Sequence, residues 1–109
     1  MDKHRVVQAL AALAHPVRLD AFRALVVAGP DGLAQKALAQ AVGVGPTNLA
    51  FHLKELAAAG LVSQLQVGRF VMYRASYERM DELLGYLTQN CCEGAPRTTL
   101  AADASACGC

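Results

Sequence analysis

Pro46-Thr47-Asn48-Leu49-Ala50-Phe51-His52-Leu53-Lys54-Glu55-Leu56-Ala57-Ala58-Ala59-Gly60 decides how this chain is read. Leu49, Leu53 and Leu56 recur at i, i+4 and i+7, the mark of a helix that buries one narrow stripe. Pro46 suits the first turn of such a helix, and Gly60 suits the position just past its end. With the leucines turned inward, Thr47, Asn48, Phe51, His52, Lys54 and Glu55 spread over the outward arc. A solvated face is the ordinary fate of a polar arc. Here it would leave the large aromatic Phe51 in water, in a region with almost no acidic residues. An outward arc that meets nucleic acid accounts for both features.

Upstream, Gly43-Val44-Gly45 reads as a tight turn, preceded by a short helix from about Leu33 to Val42 with Leu38 and Val42 inward. Two helices of this size joined by a glycine turn match helix-turn-helix geometry. Gly29-Pro30-Asp31-Gly32 is a dense turn signal. Before it, Pro16 opens a helix with Leu19, Phe22 and Val26 as its stripe. Val6, Leu10 and Leu13 mark a first helix, stopped at His15-Pro16 because proline disfavours helix in the residue before it. Downstream of Gly60 the period changes from 3.6 to 2. Leu61, Ser63 and Leu65 alternate with Val62, Gln64 and Gln66, and Phe70 to Ala75 is a second strand-like run. Gly68-Arg69 between them fits a two-residue hairpin turn with glycine first. A last helix is expected from about Tyr77 to Asn90, with Met80, Leu84 and Leu87 on one face.

The fold expected is mainly α with a small β-hairpin, a winged helix-turn-helix. Residues 1–92 would form a DNA-binding and dimerisation domain. Residues 93–109, poor in large side chains, would form a flexible cysteine-containing tail. The chain has 109 residues, 54% hydrophobic and 17% charged, which fits one packed domain and excludes a disordered chain. So small a core often gains stability by dimerising. The apolar faces left over on the first and last helices are expected to pair with those of a second copy.

The net charge is only +1, but it is unevenly spread. Residues 33–75 carry Lys36, Lys54, Arg69 and Arg74 against Glu55 alone. Residues 76–109 carry Arg79 and Arg97 against Glu78, Asp81, Glu82, Glu93 and Asp103. Phosphate binding responds to the local field, so the basic middle segment matters more than the sum. Lys3, Arg5 and Ala12-Leu13-Ala14 mimic a secretion signal, but the stretch is short and Gln8 interrupts it. No membrane partner is expected. A cytoplasmic location is, where thiols stay reduced.

All four cysteines, Cys91, Cys92, Cys107 and Cys109, fall in the C-terminal fifth of the chain. Thiolate is soft and selects soft ions, among them zinc, cadmium and trivalent arsenic. Trivalent arsenic and antimony prefer three sulfurs in a pyramid, which an adjacent pair plus one tail cysteine can supply. Cys91 alone continues the Met80, Leu84, Leu87 stripe and could be a small hydrophobe. A structural zinc site from all four is the nearest rival, but Cys-x2-Cys spacing is lacking. A redox switch is weakened by the strain of an adjacent-cysteine disulfide. No nucleophile with an evident base and no phosphate loop is present, so an enzyme is not expected, and a thiol-redox enzyme ranks last.

Four stretches together resemble the ArsR/SmtB family of metal-responsive repressors over residues 5 to 92. They are Leu13-Ala14-His15-Pro16-Val17-Arg18-Leu19, Thr47 to Leu56, Ala59-Gly60-Leu61-Val62, and the wing from Gly68-Arg69 to Tyr73. The resemblance implies a homodimeric repressor on an imperfect inverted repeat of double-stranded DNA. The recognition helices would face successive major grooves about 34 Å apart. Asn48 could then pair with adenine, Thr47 with phosphate or a thymine methyl, and His52 with an acceptor or phosphate. Arg69 would reach the minor groove or backbone, with Phe51, Lys54 and Lys36 completing the surface. Ala50 stands where the family often has a second serine, which removes one contact. His15 and His4 read as structural and solvated.

The resemblance also implies an arsenic site, with arsenite as inducer and antimonite beside it, and no organic cofactor. Some relatives place paired cysteines in the first helix of the helix-turn-helix, where this chain has none. Others use a pair near the end of the last helix with a third beyond it, and this chain is similar to those through Cys91, Cys92 and Cys107 or Cys109. Zinc-sensing relatives use Asp and His pairs on the last helix, which here carries Asp81 and Glu82 but no histidine. Zinc or cadmium sensing, or thiol oxidation, on the same fold is the alternative.

Overall fold

A computed structural model describes residues 1–89. The elements are α1 (Lys3–Leu13), α2 (Pro16–Ala28), β1 (Leu33–Ala34), α3 (Gln35–Val42), α4 (Pro46–Ala58), β2 (Val62–Val67), β3 (Phe70–Ala75) and α5 (Tyr77–Leu87). The architecture is mostly helical with a three-stranded antiparallel sheet in the order β1-β3-β2.

Capping explains where the helices start and stop. Asp2 accepts from the Arg5 N–H at 2.9 Å, satisfying one of the free donors at the start of α1. That backbone hydrogen bond, ahead of the Arg5 charge, holds the Asp2 carboxyl below its ordinary value. His15 does the same for α2: its backbone is extended and its Nδ1 accepts from the Val17 N–H at 3.2 Å. The His15-Pro16 boundary is thus made by a side-chain cap as well as by proline. At the end of α4, the Leu61 N–H donates to the Leu56 carbonyl at 3.0 Å and the Gly60 N–H to the Ala57 carbonyl at 2.9 Å. With Gly60 at φ +78°, this is a Schellman ending, and it turns the chain directly into the wing.

The strand β1 departs from the expectation that a helix begins at Leu33. Leu33 pairs with Tyr73 and Ala34 with Met72. Two residues are too few to show a period, and the pairing is set from outside. A Cβ at Gly32 would fall on the Tyr73 carbonyl, so only glycine, here at φ +72°, lets β1 lie against β3. The last helix also stops earlier than expected, at Leu87 rather than Asn90. The Thr88 hydroxyl donates to the Leu84 carbonyl at 2.7 Å, closing the final turn locally.

The core is built around Leu25, Leu38, Leu49, Leu53, Leu56 and Leu61, all fully buried. Leu49, Leu53 and Leu56 face it as the spacing required. On α1 the buried face is Val6, Ala9 and Ala12, while Val7 and Leu10 are exposed. On α5 only Leu83 is buried, leaving Leu84, Tyr86 and Leu87 exposed. Leu10, Leu84 and Leu87 therefore form an outer stripe next to the core-facing one.

Candidate nucleic-acid interface

The α3–α4 pair is set by its turn. Gly43 adopts the left-handed conformation at φ +83°, and the Gly43 and Val44 N–H groups both return to the Ala39 carbonyl. Gln35, at the start of α3, donates from Nε2 to the Pro46 carbonyl at 3.0 Å, tying the first turn of one helix to the first turn of the next. α4 is 13 residues long. At 1.5 Å per residue it spans about 20 Å, enough to cross a major groove.

Thr47, Asn48, Phe51 and Lys54 are all exposed on α4, as the outward arc requires. Phe51 is 57% exposed, so the aromatic does stand in solvent in the isolated protomer. Lys36 is exposed on the first turn of α3, and Arg69 is exposed at the wing tip, where Val67 pairs with Phe70 across the Gly68-Arg69 turn. Gly68 has φ +60°, matching a two-residue turn with glycine first.

His52 is the exception, and its expected place on the outward arc is corrected. It is only 6% exposed. Positions 49, 52, 53 and 56 form one continuous i, i+3, i+4, i+7 stripe, which three leucines alone made look narrower than it is. The buried imidazole accepts from Arg18 Nε at 3.2 Å through Nδ1. Its ring lies 4.5 Å from that of His15, and Phe51 meets it edge-on at 5.6 Å. Burial, then the nearby His15 and Arg18, push the His52 pKa below its ordinary 6.5. Neutral and acceptor-bound, His52 joins α4 to α2 and does not present a donor to a groove floor.

Arg18, Gln35 and His15 were missed as positioning residues. Only Arg18 and His15 carried a signal, through the His15-Pro16-Val17-Arg18 stretch. Cys91, Cys92, Cys107 and Cys109 lie outside the described residues. Among the described residues, no cluster of three or more His, Cys, Asp or Glu side chains could hold a metal ion.

The sequence profile of a helix-turn-helix domain matches residues 13–64, from the end of α1 into β2. No curated protein matches the chain. Solved structures do. The ArsR-like transcriptional regulator of Rhodococcus sp. RHA1 is 27% identical with a TM-score of 0.71, covering 94% of this chain and 92% of that one. NolR of Sinorhizobium fredii is 30% identical with a TM-score of 0.63, covering 79% and 83%. The homodimeric winged helix-turn-helix DNA-binding domain of Mb0332 from Mycobacterium bovis, named a possible ArsR-family regulator, is 26% identical with a TM-score of 0.64, covering 80% and 81%.

The chain belongs to the ArsR family of winged helix-turn-helix regulators.

As an ArsR-type protein it is a DNA-binding transcriptional regulator and not an enzyme. The profile match covers the two helices that the turn at Gly43 to Gly45 joins. No helix among the described residues is long and apolar enough to cross a membrane.

Proposed function

We propose that this ArsR-family regulator is a repressor that holds an imperfect inverted-repeat operator as a homodimer. Trivalent arsenic, or antimony, releases it on binding Cys91, Cys92 and one of Cys107 and Cys109. The observation that carries the reading is the order along the chain: Cys91 and Cys92 follow closely on α5, with Cys107 and Cys109 further downstream. That helix shows solvent an apolar stripe of Leu84 and Leu87, while α1 shows Val7 and Leu10. A second copy would cover these residues, and the homodimeric state of the Mb0332 domain supports that arrangement.

Capture of a three-thiol ion just beyond α5 draws the tail onto the end of this seam. Closing the tail costs entropy that grows only with the logarithm of its length. The α1 and α5 helices hold the end of α4: Gln8 donates from Nε2 to the Ala58 carbonyl at 3.3 Å, and the Arg79 guanidinium covers Gly60 at about 3.1 Å from where a Cβ would stand. A shift of the seam therefore reaches the recognition helix, and a coupling of about 1–3 kcal/mol changes operator affinity several-fold to over a hundredfold. The experiment is operator release by the full chain across arsenite, antimonite, zinc, cadmium and peroxide. Release by arsenite and antimonite at lower concentration than by the others supports the reading. Release by zinc or peroxide alone replaces it.

A further inference from the structure

The hairpin of β2 and β3 is more apolar than a phosphate-binding wing needs. Its register pairs Leu65 with Met72 and Val67 with Phe70, so these four side chains share one face. Leu65, Val67 and Phe70 are 52%, 51% and 66% exposed. Arg69 stands in the turn between Val67 and Phe70, and no acidic residue occurs between Glu55 and Glu78. Asp31 lines the cleft formed by Leu65, Val67, Met72 and Arg74, but neither Arg69 nor Phe70 lines it. The tip is thus cationic and apolar at once.

We propose that Phe70, seated beside Val67, is an apolar wedge that enters the DNA minor groove and partly unstacks one base step, while Arg69 holds the flanking backbone. This rests on the DNA-binding reading of the α4 face and extends it to how the duplex is deformed. The wing leaves the recognition helix through the Schellman turn at Gly60, so the two surfaces are continuous. A duplex offers the combination the tip fits: negative phosphates on either side of a groove walled by sugar C–H groups and base edges. Apolar side chains inserted there kink DNA, most readily at flexible pyrimidine–purine steps. The regulator then reads deformability at positions outside its major-groove contacts.

The test uses the full chain and a duplex recovered from a random pool by selection with it. The duplex carries 2-aminopurine at steps flanking each major-groove contact, and dyes at its ends. The parent protein is expected to raise 2-aminopurine fluorescence at one flanking step and to shorten the end-to-end distance. Phe70→Ala is expected to lose both effects and keep the salt slope. Its affinity falls by less than about tenfold, because the lost contact is offset by the unstacking no longer required. Arg69→Ala is expected to keep the fluorescence rise and lower the salt slope by about one. If Phe70→Ala leaves the fluorescence and bend unchanged, the wedge is wrong although DNA binding stands. If Phe70→Ala alters sedimentation of the free protein instead, the face is covered by protein and the wedge is equally wrong. A parent chain that selects no duplex overturns the DNA-binding reading itself.

Discussion

Replacing His52 by alanine separates a structural imidazole from a groove-reading one. The substitution removes a ring that is 6% exposed and the acceptor for Arg18 Nε at 3.2 Å. Truncating a buried side chain of this size, together with losing a hydrogen bond to a charged group, costs about 2–3 kcal/mol, since the half-buried Arg18 recovers part of its hydrogen bonding from water. For a domain of this length each kcal/mol shifts Tm by about 4–8 °C, so a fall of roughly 10–20 °C is expected. The assay is thermal unfolding followed by circular dichroism at one fixed protein concentration, because dimerisation makes Tm concentration-dependent. His52→Gln, whose amide oxygen can still accept from Arg18, should lose less. The pH dependence supplies a second signature. The folded-state pKa of His52 lies below the 6.5 of the unfolded chain, so the unfolded state takes up the proton first. Its contribution is full above about pH 6.5, declines as pH falls towards the folded pKa and then levels off. His52→Ala should lose that decline. An unchanged Tm, with a loss of sequence choice on DNA, would refute the buried assignment and put His52 in the groove.

Other outcomes follow from the same geometry. Gly32→Ala should fail to give a folded domain by circular dichroism, because its Cβ would land on the Tyr73 carbonyl at φ +72°. Gly60→Ala should cost about 1 kcal/mol or more in denaturant unfolding, from the left-handed backbone and the Arg79 contact. Asn48→Ala should relax base choice in a competition binding assay while keeping the salt slope. Leu84→Glu with Leu87→Glu should shift sedimentation to the monomer and leave the far-ultraviolet spectrum unchanged, since both side chains are exposed in the protomer.

Much of this was legible because long periodic segments dominate the chain. The α4 leucines, the turn at Gly43 to Gly45, the Gly60 ending and the Gly68-Arg69 wing all carry local signals. β1 was not legible, because two residues have no period and their conformation is set by β3 across the sheet. The inward turn of His52 was hidden for a different reason. A polar residue within an apolar stripe reads as outward unless its partners are known, and Arg18 lies 34 positions away. Leu10, Leu84 and Leu87 were correctly read as helical. Their stripe turns out to border the buried face: on α1 the small Ala9 and Ala12, with Val6, make the contacts within the protomer, and on α5 Leu83 does.

The central claim is that arsenic acts through the cysteines beyond α5. It is tested most directly by fluorescence anisotropy of a labelled selected duplex, with arsenite titrated into the full chain and into the Cys91→Ser/Cys92→Ser double variant. Both proteins are expected to bind the duplex alike, with arsenite releasing the parent and leaving the double variant bound. Release of the double variant at the same arsenite concentration as the parent would contradict the claim.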